Sequence, residues 1–160
     1  MRVALLFSVC SMLCLAFATP SIAGNSGSRL TDAKGIQSGA LAAPDGSGGV
    51  ICAWNDDRLG SARIFAQRID STGGKHWATD GVQVTTFGSN IALFAVVEDG
   101  SGGAWVLYYC TGPVEPFAVR AQHLSPTGAS LLGSTDGLLR ESPRNQNKIA
   151  AFADGAGGVI

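Results

Sequence analysis

Three features of the sequence predict an all-β fold assembled from four-stranded antiparallel units. The first is a five-residue motif written three times. Asp45-Gly46-Ser47-Gly48-Gly49 returns as Asp99-Gly100-Ser101-Gly102-Gly103 and as Asp154-Gly155-Ala156-Gly157-Gly158, at intervals of 54 and 55 residues. Self-similarity at a fixed period of this size marks a chain built from repeated supersecondary units. The second is that each motif sits between two apolar, β-prone runs. The third is an absence: no segment holds a 3.6-residue apolar period over ten or more residues, so almost no helix is expected beyond the N-terminal segment.

Residues 1–23 read as an export signal. Arg2 gives the positive start, Val3 to Phe17 is apolar except for Ser8 and Ser11, and Ser21 and Ala23 place small residues ahead of a cleavage point before Gly24. The apolar run of 15 residues is shorter than the roughly 20 that span a bilayer, so no membrane span is expected after cleavage. Neither Cys10 nor Cys14 follows the small residue expected before a lipidated cysteine. Cleavage would leave Cys52 and Cys110, seven and eleven residues after their motif aspartates. That offset of four strand residues is about 13 Å along a strand, and a disulfide needs Cα atoms within about 7 Å. Both are therefore expected as buried free thiols. Residues 24–35 are small and polar and read as a flexible leader or a first outer strand.

Each unit then reads as four strands. Unit 1 covers residues 36–89, unit 2 residues 90–144, and residues 145–160 open a third. The first run is Ala40–Ala43, Ile91–Val97 or Ile149–Ala153, and the motif turns it into the second, Val50–Trp54 or Ala104–Tyr108. Asp and Gly tolerate the positive φ of hairpin turns, so Gly48-Gly49 and Gly102-Gly103 are expected there at positive φ. In the second run Val50, Cys52 and Trp54 should share one face and Ile51 and Ala53 the other, both largely buried. Ile64–Ile69 and Val119–Leu124 form the third segment, each holding an Ala-Gln pair, and turns at Asp70–Gly74 and Ser125–Ala129 follow. The fourth segment lies around Trp77–Thr86 and Leu131–Glu141. Four strands in a 40–55-residue period describe the blade of a β-propeller. Propellers close with about four to eight blades, so the expectation is an incomplete propeller, the chain being an N-terminal fragment of two units and the start of a third.

Residues from about 36 onward resemble the repeat of large secreted bacterial proteins, of the form DGxGGxxxxW…R…xxAQRxxxxGxxxWxxxGxxV. Unit 1 matches closely. Unit 2 departs where Tyr108 replaces Trp54, Leu132 replaces Trp77, and Thr111 to Pro116 replaces the Asn55-Asp56-Asp57-Arg58 loop. The resemblance implies an exported, propeller-like protein, usually without an assigned activity and sometimes with a C-terminal sorting domain. The motif is also similar to the sialidase Asp-box S-x-D-x-G-x-x-W, but it lacks the Ser and the Trp.

Chemistry has few candidates. Charged residues are 14% and net charge is −1, with no concentrated basic face, so nucleic acid is not an expected partner. Asp56 and Asp57 beside Arg58 could suggest a carboxylate pair, but hydrolases hold such groups about 5–9 Å apart across a substrate. A local Asp–Arg pair accounts for them as well. His76 and His123 have no metal ligands at suitable spacing. Calcium at the motif turns is the one cofactor candidate by ligand type, yet neither the nine-residue calcium repeat nor an EF-hand occurs. No cofactor is expected. A phosphate loop would need a helix after the glycines, and a strand follows instead. The glycines and aspartates at 45, 46, 48, 49, 99, 100, 102, 103, 154, 155, 157 and 158 thus read as structural turn residues. The functional expectation is an exported, non-enzymatic binding or surface-structural module, its partners a glycan or protein at the cell surface and further blades of its own kind. The alternatives are a piece of a propeller-type glycan hydrolase and an incomplete reading frame without function of its own.

Overall fold

A computed structural model describes residues 29–86, 89–111, 117–141 and 149–160. Eight strands form two four-stranded antiparallel meanders, and no α-helix occurs among the described residues. The first sheet runs in the order β1 (Gln37–Pro44), β2 (Val50–Asp56), β3 (Arg63–Ile69), β4 (Val82–Gln83). The second runs β5 (Ser89–Glu98), β6 (Ala104–Thr111), β7 (Ala118–Leu124), β8 (Gly137–Glu141). The central pairs are unbroken, Val50 to Asp56 against Ile69 to Arg63 and Ala104 to Cys110 against Leu124 to Ala118. The first strands are less regular. A register shift between Ser38 and Leu41 falls at Gly39, whose φ of 62° suits a bulge.

The alternation within β2 puts Ile51 and Ala53 in the main apolar cluster, which joins the two sheets. From the first sheet come Ile51, Ala53, Ile64 and Ala66, and from the second Ala104, Val106, Tyr108 and Cys110. The opposite face of the second sheet, with Leu107 and Ala121, packs under Trp105, Ala151 and Val159. The order of stacking is therefore first sheet, second sheet, C-terminal hairpin. Backbone approach between the two sheets is made by β5, which lies against β1, β2 and β3, and Leu93 donates its amide to Asn55 Oδ1 at 3.2 Å.

Several expectations need correction. The second face of β2 is not uniformly buried: Trp54 is, but Val50 is exposed and Cys52 only half-buried. Cys110 is the buried cysteine of the pair, and neither is in a disulfide. Trp54 is covered because Gly81 lies against its ring, so close that a Cβ there would stand 2.7 Å from Cη2. The fourth strand of the first sheet shrinks to Val82–Gln83, with Trp77–Gly81 outside it. In the second sheet Gly133–Thr135 makes a single 3₁₀ turn before β8. Of the expected third unit, residues 149–160 form a hairpin held by one bridge, Ala153 to Val159, and reciprocal amide bonds between Phe152 and Ile160. The expected signal at 1–23 and the loop at 112–116 lie outside the described residues. Within the stretch expected as a leader, Asp32 gives its amide and Thr31 its hydroxyl to Asp80 Oδ1, at 2.8 and 3.1 Å.

The Ala-Gln pair of β3 and β7 owes its recurrence to a backbone clamp. Gln67 Oε1 accepts the Trp77 amide at 2.9 Å and Gln67 Nε2 donates to the Ala78 carbonyl at 2.6 Å. Gln122 Oε1 accepts the Leu132 amide at 3.2 Å and its Nε2 donates to the Gly133 carbonyl at 2.9 Å. Both glutamines are fully buried. Each satisfies backbone groups of a segment that has left the sheet ladder, groups that would otherwise be desolvated without a partner. The small neighbour, Ala66 or Ala121, leaves the other face free for core packing. Gln67→Leu should cost about 2 kcal/mol in denaturant unfolding and Gln122→Leu about 1 kcal/mol, as a buried amide loses its bond at about 1–3 kcal/mol and the part-buried groups of the second clamp lose less. An unchanged midpoint would refute the clamp.

Candidate functional site

The three Asp-Gly motifs form tight turns of one design. Asp45 Oδ1 accepts the amides of Ser47 and Gly49, both at 2.8 Å, and the Asp45 amide donates to the Gly49 carbonyl at 3.1 Å. Asp99 holds Ser101 and Gly103 in the same way at 2.8 and 2.9 Å, and Asp154 holds Ala156 and Gly158 at 2.7 and 2.8 Å. One carboxylate oxygen thus collects two amides that point into the turn, the Asx-turn chemistry that favours aspartate here. Asp70 repeats the arrangement with Thr72 and Gly74. Its counterpart Ser125 uses a hydroxyl oxygen to take the Ala129 amide.

The glycines divide into two kinds, which corrects the expectation of positive φ at Gly48-Gly49 and Gly102-Gly103. Gly46 and Gly48 have φ of 73° and 89°, Gly100 and Gly102 have 71° and 89°, and Gly155 and Gly157 have 79° and 90°. Gly49, Gly103 and Gly158 are not at positive φ. At Gly49 the constraint is space: a Cβ would overlap the Ile69 carbonyl oxygen and come within 2.8 Å of Asp45 Oδ2. Gly103 meets the Leu124 carbonyl and Asp99 in the same manner.

The turns stand in a row. A Cβ on Gly102 would sit 3.7 Å from the Asp45 carbonyl oxygen, and one on Gly157 would sit 3.2 Å from that of Asp99. Indole N–H groups tie neighbours together, Trp77 Nε1 to the Pro126 carbonyl at 3.0 Å and Trp105 Nε1 to the Gly157 carbonyl at 2.9 Å. In the first two turns the second carboxylate oxygen faces the adjacent strand. Asp45 Oδ2 takes Arg68 Nε at 2.9 Å, whereas Asp99 Oδ2 pairs with His123 Nε2 at 2.8 Å.

That exchange of Arg for His opens a cleft. Arg68 reaches past its own turn to the Pro126 carbonyl at 3.4 Å and lies against Gly102. The shorter His123 lies flat on Trp105, ring centroids 4.2 Å apart. Between the second and third turns a space of about 470 Å³ remains, lined by Glu98, Asp99, Ser101, His123 and the backbone of Gly155–Gly157. Glu98 is half-buried there, and its side chain makes no hydrogen bond to another described residue. The cleft therefore offers the Glu98 carboxylate, an imidazole paired to Asp99, a hydroxyl and turn backbone. In the sequence His123 directly follows the Ala-Gln pair of the third segment and has no metal ligand at suitable spacing. The visible signal was its alignment with Arg68.

Other candidate residues serve the framework. Asp56 is fully buried, accepts Trp54 Nε1 at 2.8 Å and the Arg58 amide at 2.9 Å, and pairs with the Arg58 guanidinium at 2.6 Å. Arg58 also covers the Phe65 ring at 3.9 Å. Asp57 turns elsewhere and accepts the Ile36 amide at 2.6 Å, so the two carboxylates share no substrate face. His76 pairs with Asp70 at the surface. Among the described residues no three His, Cys, Asp or Glu side chains are grouped to hold a metal ion. Comparison with protein-family models, curated proteins and solved structures finds no match for this chain.

Burial raises the carboxyl of Asp56, but the Arg58 guanidinium and amide and the Trp54 indole outweigh it and bring it down to about 2. In Asp45 and Asp99 burial is likewise outweighed, by Ser47, Arg68 and Gly49 and by His123, Ser101 and Gly103, and both are lowered. Asp136 is the opposite case: burial dominates its Tyr108 and Gln122 bonds and the carboxyl is raised.

Two outcomes are expected. A group lowered on folding stabilises above its unfolded value and loses that contribution as pH falls through its folded value. Asp56, lowered from 3.8 to about 2, contributes about 2 kcal/mol at neutral pH, lost between about pH 4 and 2. Asp136 works the other way, its contribution being lost as pH rises. Thermal unfolding across pH 2–7 should fall at the acid end, and Asp56→Asn should flatten that fall while lowering stability at pH 7. Among the glycines, Gly46→Ala enters open space and costs only the positive-φ strain, about 1 kcal/mol. Gly49→Ala must displace backbone and should cost about 3 kcal/mol. Equal effects in chemical denaturation would contradict this division.

Proposed function

We propose that this chain is an exported, non-enzymatic binding module of propeller-like blades, and that the cleft beside His123 receives a hydroxyl-rich ligand such as a cell-surface glycan. The observation carrying this reading is the cleft itself. Its wall joins acceptors (Glu98, Asp99), a hydroxyl (Ser101) and turn backbone around an open polar space, the mixture that hydrogen-bonds sugar hydroxyls. The blade reading is supported by two meanders stacked face to face, drawn together at β5 against β1 to β3, as strands converge toward a propeller axis. Export is supported by the form of residues 1–23. A non-catalytic role is favoured because the aspartates on the page hold turns, tether residues 31–32 or neutralise Arg58.

The test is a glycan array probed with the full chain, beside a broad glycosidase assay. His123→Arg should fill the cleft as Arg68 fills the corresponding place in the first sheet, cutting glycan binding at least tenfold with unfolding unchanged. Turnover of any glycoside would overturn the non-enzymatic reading. Retention of a bound glycan by the Arg variant would remove the ligand from this cleft.

A further inference from the structure

A second cavity lies beside Trp54 in the first sheet, where β1 is interrupted by its bulge. In the second sheet Leu93 stands directly opposite Tyr108, on one face with it, and packs into the core between the sheets. Gly39 holds the same place in the first sheet, six residues ahead of the motif aspartate. The register there jumps from Ser38, opposite Asn55, to Leu41, opposite Ala53. Gly39 and Ala40 are therefore what β1 sets across from Trp54. The room that a leucine occupies in the second sheet is left here as a cavity of about 170 Å³, with Trp54, Gly39 and Ala40 among its walls. Leu30 and Thr31 close it on a further side.

The polar atoms of these walls are already bonded elsewhere. The Trp54 indole N–H donates to Asp56 Oδ2 at 2.8 Å. The Thr31 hydroxyl donates to Asp80 Oδ1 at 3.1 Å, and accepts from Arg58 Nη2 and from the Ala33 amide, each at 3.1 Å. With the Asp32 amide on Asp80 Oδ1, these bonds also hold residues 30–31 in place over the cavity. Gln37 and Ser38, the other polar residues of the lining, are exposed and border its opening. A buried water needs about two to four polar partners, whereas an apolar cavity of this size stays dry and takes an apolar guest. Leu93 sets the scale of that guest, since one branched aliphatic side chain occupies the matching place.

We infer that this cavity binds a small apolar molecule, a single aromatic ring or a branched hydrocarbon of about four to six carbons, against the Trp54 indole. The bulge at Gly39 is what provides the room, and the Asp80 tether of residues 31–32 is what keeps it covered. The site is separate from the cleft beside His123 and does not depend on the glycan reading.

Benzene is the probe, with pyridine as a polar ring of the same size, each added to the full chain. Benzene at about tenfold its Kd should raise the thermal unfolding midpoint by about 4 °C, because it binds the folded state alone. Nuclear Overhauser contacts should join the benzene protons to the Trp54 indole and the Leu30 methyl groups. Pyridine should bind about tenfold more weakly or worse, since its ring nitrogen loses water without gaining a donor. Ala40→Leu, whose longer side chain enters the cavity, should abolish benzene binding while circular dichroism stays that of the wild type. Where that variant is disturbed, the contacts to Trp54 in the wild-type chain decide alone. A midpoint unmoved by benzene, contacts only to residues away from Trp54, equal binding of pyridine, or benzene retained by a folded Ala40→Leu chain would each overturn the inference. None of these outcomes bears on the His123→Arg test.

Discussion

The carboxylate of a turn aspartate, taking two backbone amides on one oxygen, is the interaction on which the remaining architecture rests. Five residues reverse the chain between the first two strands of each sheet, where the amide of the fifth is buried and that of the third partly buried. A buried amide without a partner costs on the order of 1–3 kcal/mol. Asp45 satisfies both amides at once, and Asp99 and Asp154 repeat the device. Because the turn is then rigid and compact, successive turns can lie close enough for the carbonyl of one to face a glycine of the next. The second oxygen remains available to Arg68 or His123, so turn closure and strand-to-turn attachment share one side chain.

This economy explains what the sequence made legible. The motif, its spacing and the runs around it were sufficient for eight strands in two meanders, because turn chemistry and β-propensity are local properties. The fourth strands were overestimated for a nonlocal reason. Trp77 and Val82–Val84 frame the segment with strand-prone residues, but Gln67 takes the Trp77 amide and the Ala78 carbonyl away from any ladder. Nothing local shows that a glutamine eleven residues upstream will do so. The mistaken glycines have the same origin. Positive φ is a property of the turn, whereas exclusion of a Cβ at Gly49 depends on where the Ile69 carbonyl arrives.

The candidate site was less legible than the fold, since it arises from a difference between equivalent positions. Arg68 and His123 each place a side-chain nitrogen at hydrogen-bond distance from a turn aspartate. They differ in reach. Arg68 extends to the neighbouring turn, while His123 ends at Asp99 and rests on Trp105. Only with three turns in a row does the shorter side chain become a cleft.

The losses in the second sheet show how much departure from the motif the design absorbs. Trp54 donates its indole N–H to Asp56 on the same strand. In the second sheet Tyr108 stands in place of Trp54, and Cys110 stands in place of Asp56. A phenol at that point needs a new acceptor, and Asp136 supplies it, bonded to the Tyr108 hydroxyl and to Gln122 Nε2. Burial raises the Tyr108 hydroxyl further, with the Asp136 bond and charge adding to it, so the phenol stays protonated and keeps donating. Asp136 is the counterpart of Asp80, just ahead of the fourth strand, and takes a φ of 34° there. The same glutamine that clamps the fourth segment now also fixes that carboxylate. An aromatic exchange that looks like degeneration in the sequence thus keeps its buried polar tip bonded to a carboxyl group. The turn, the glutamine clamp and the core contact between the sheets remain unchanged around it.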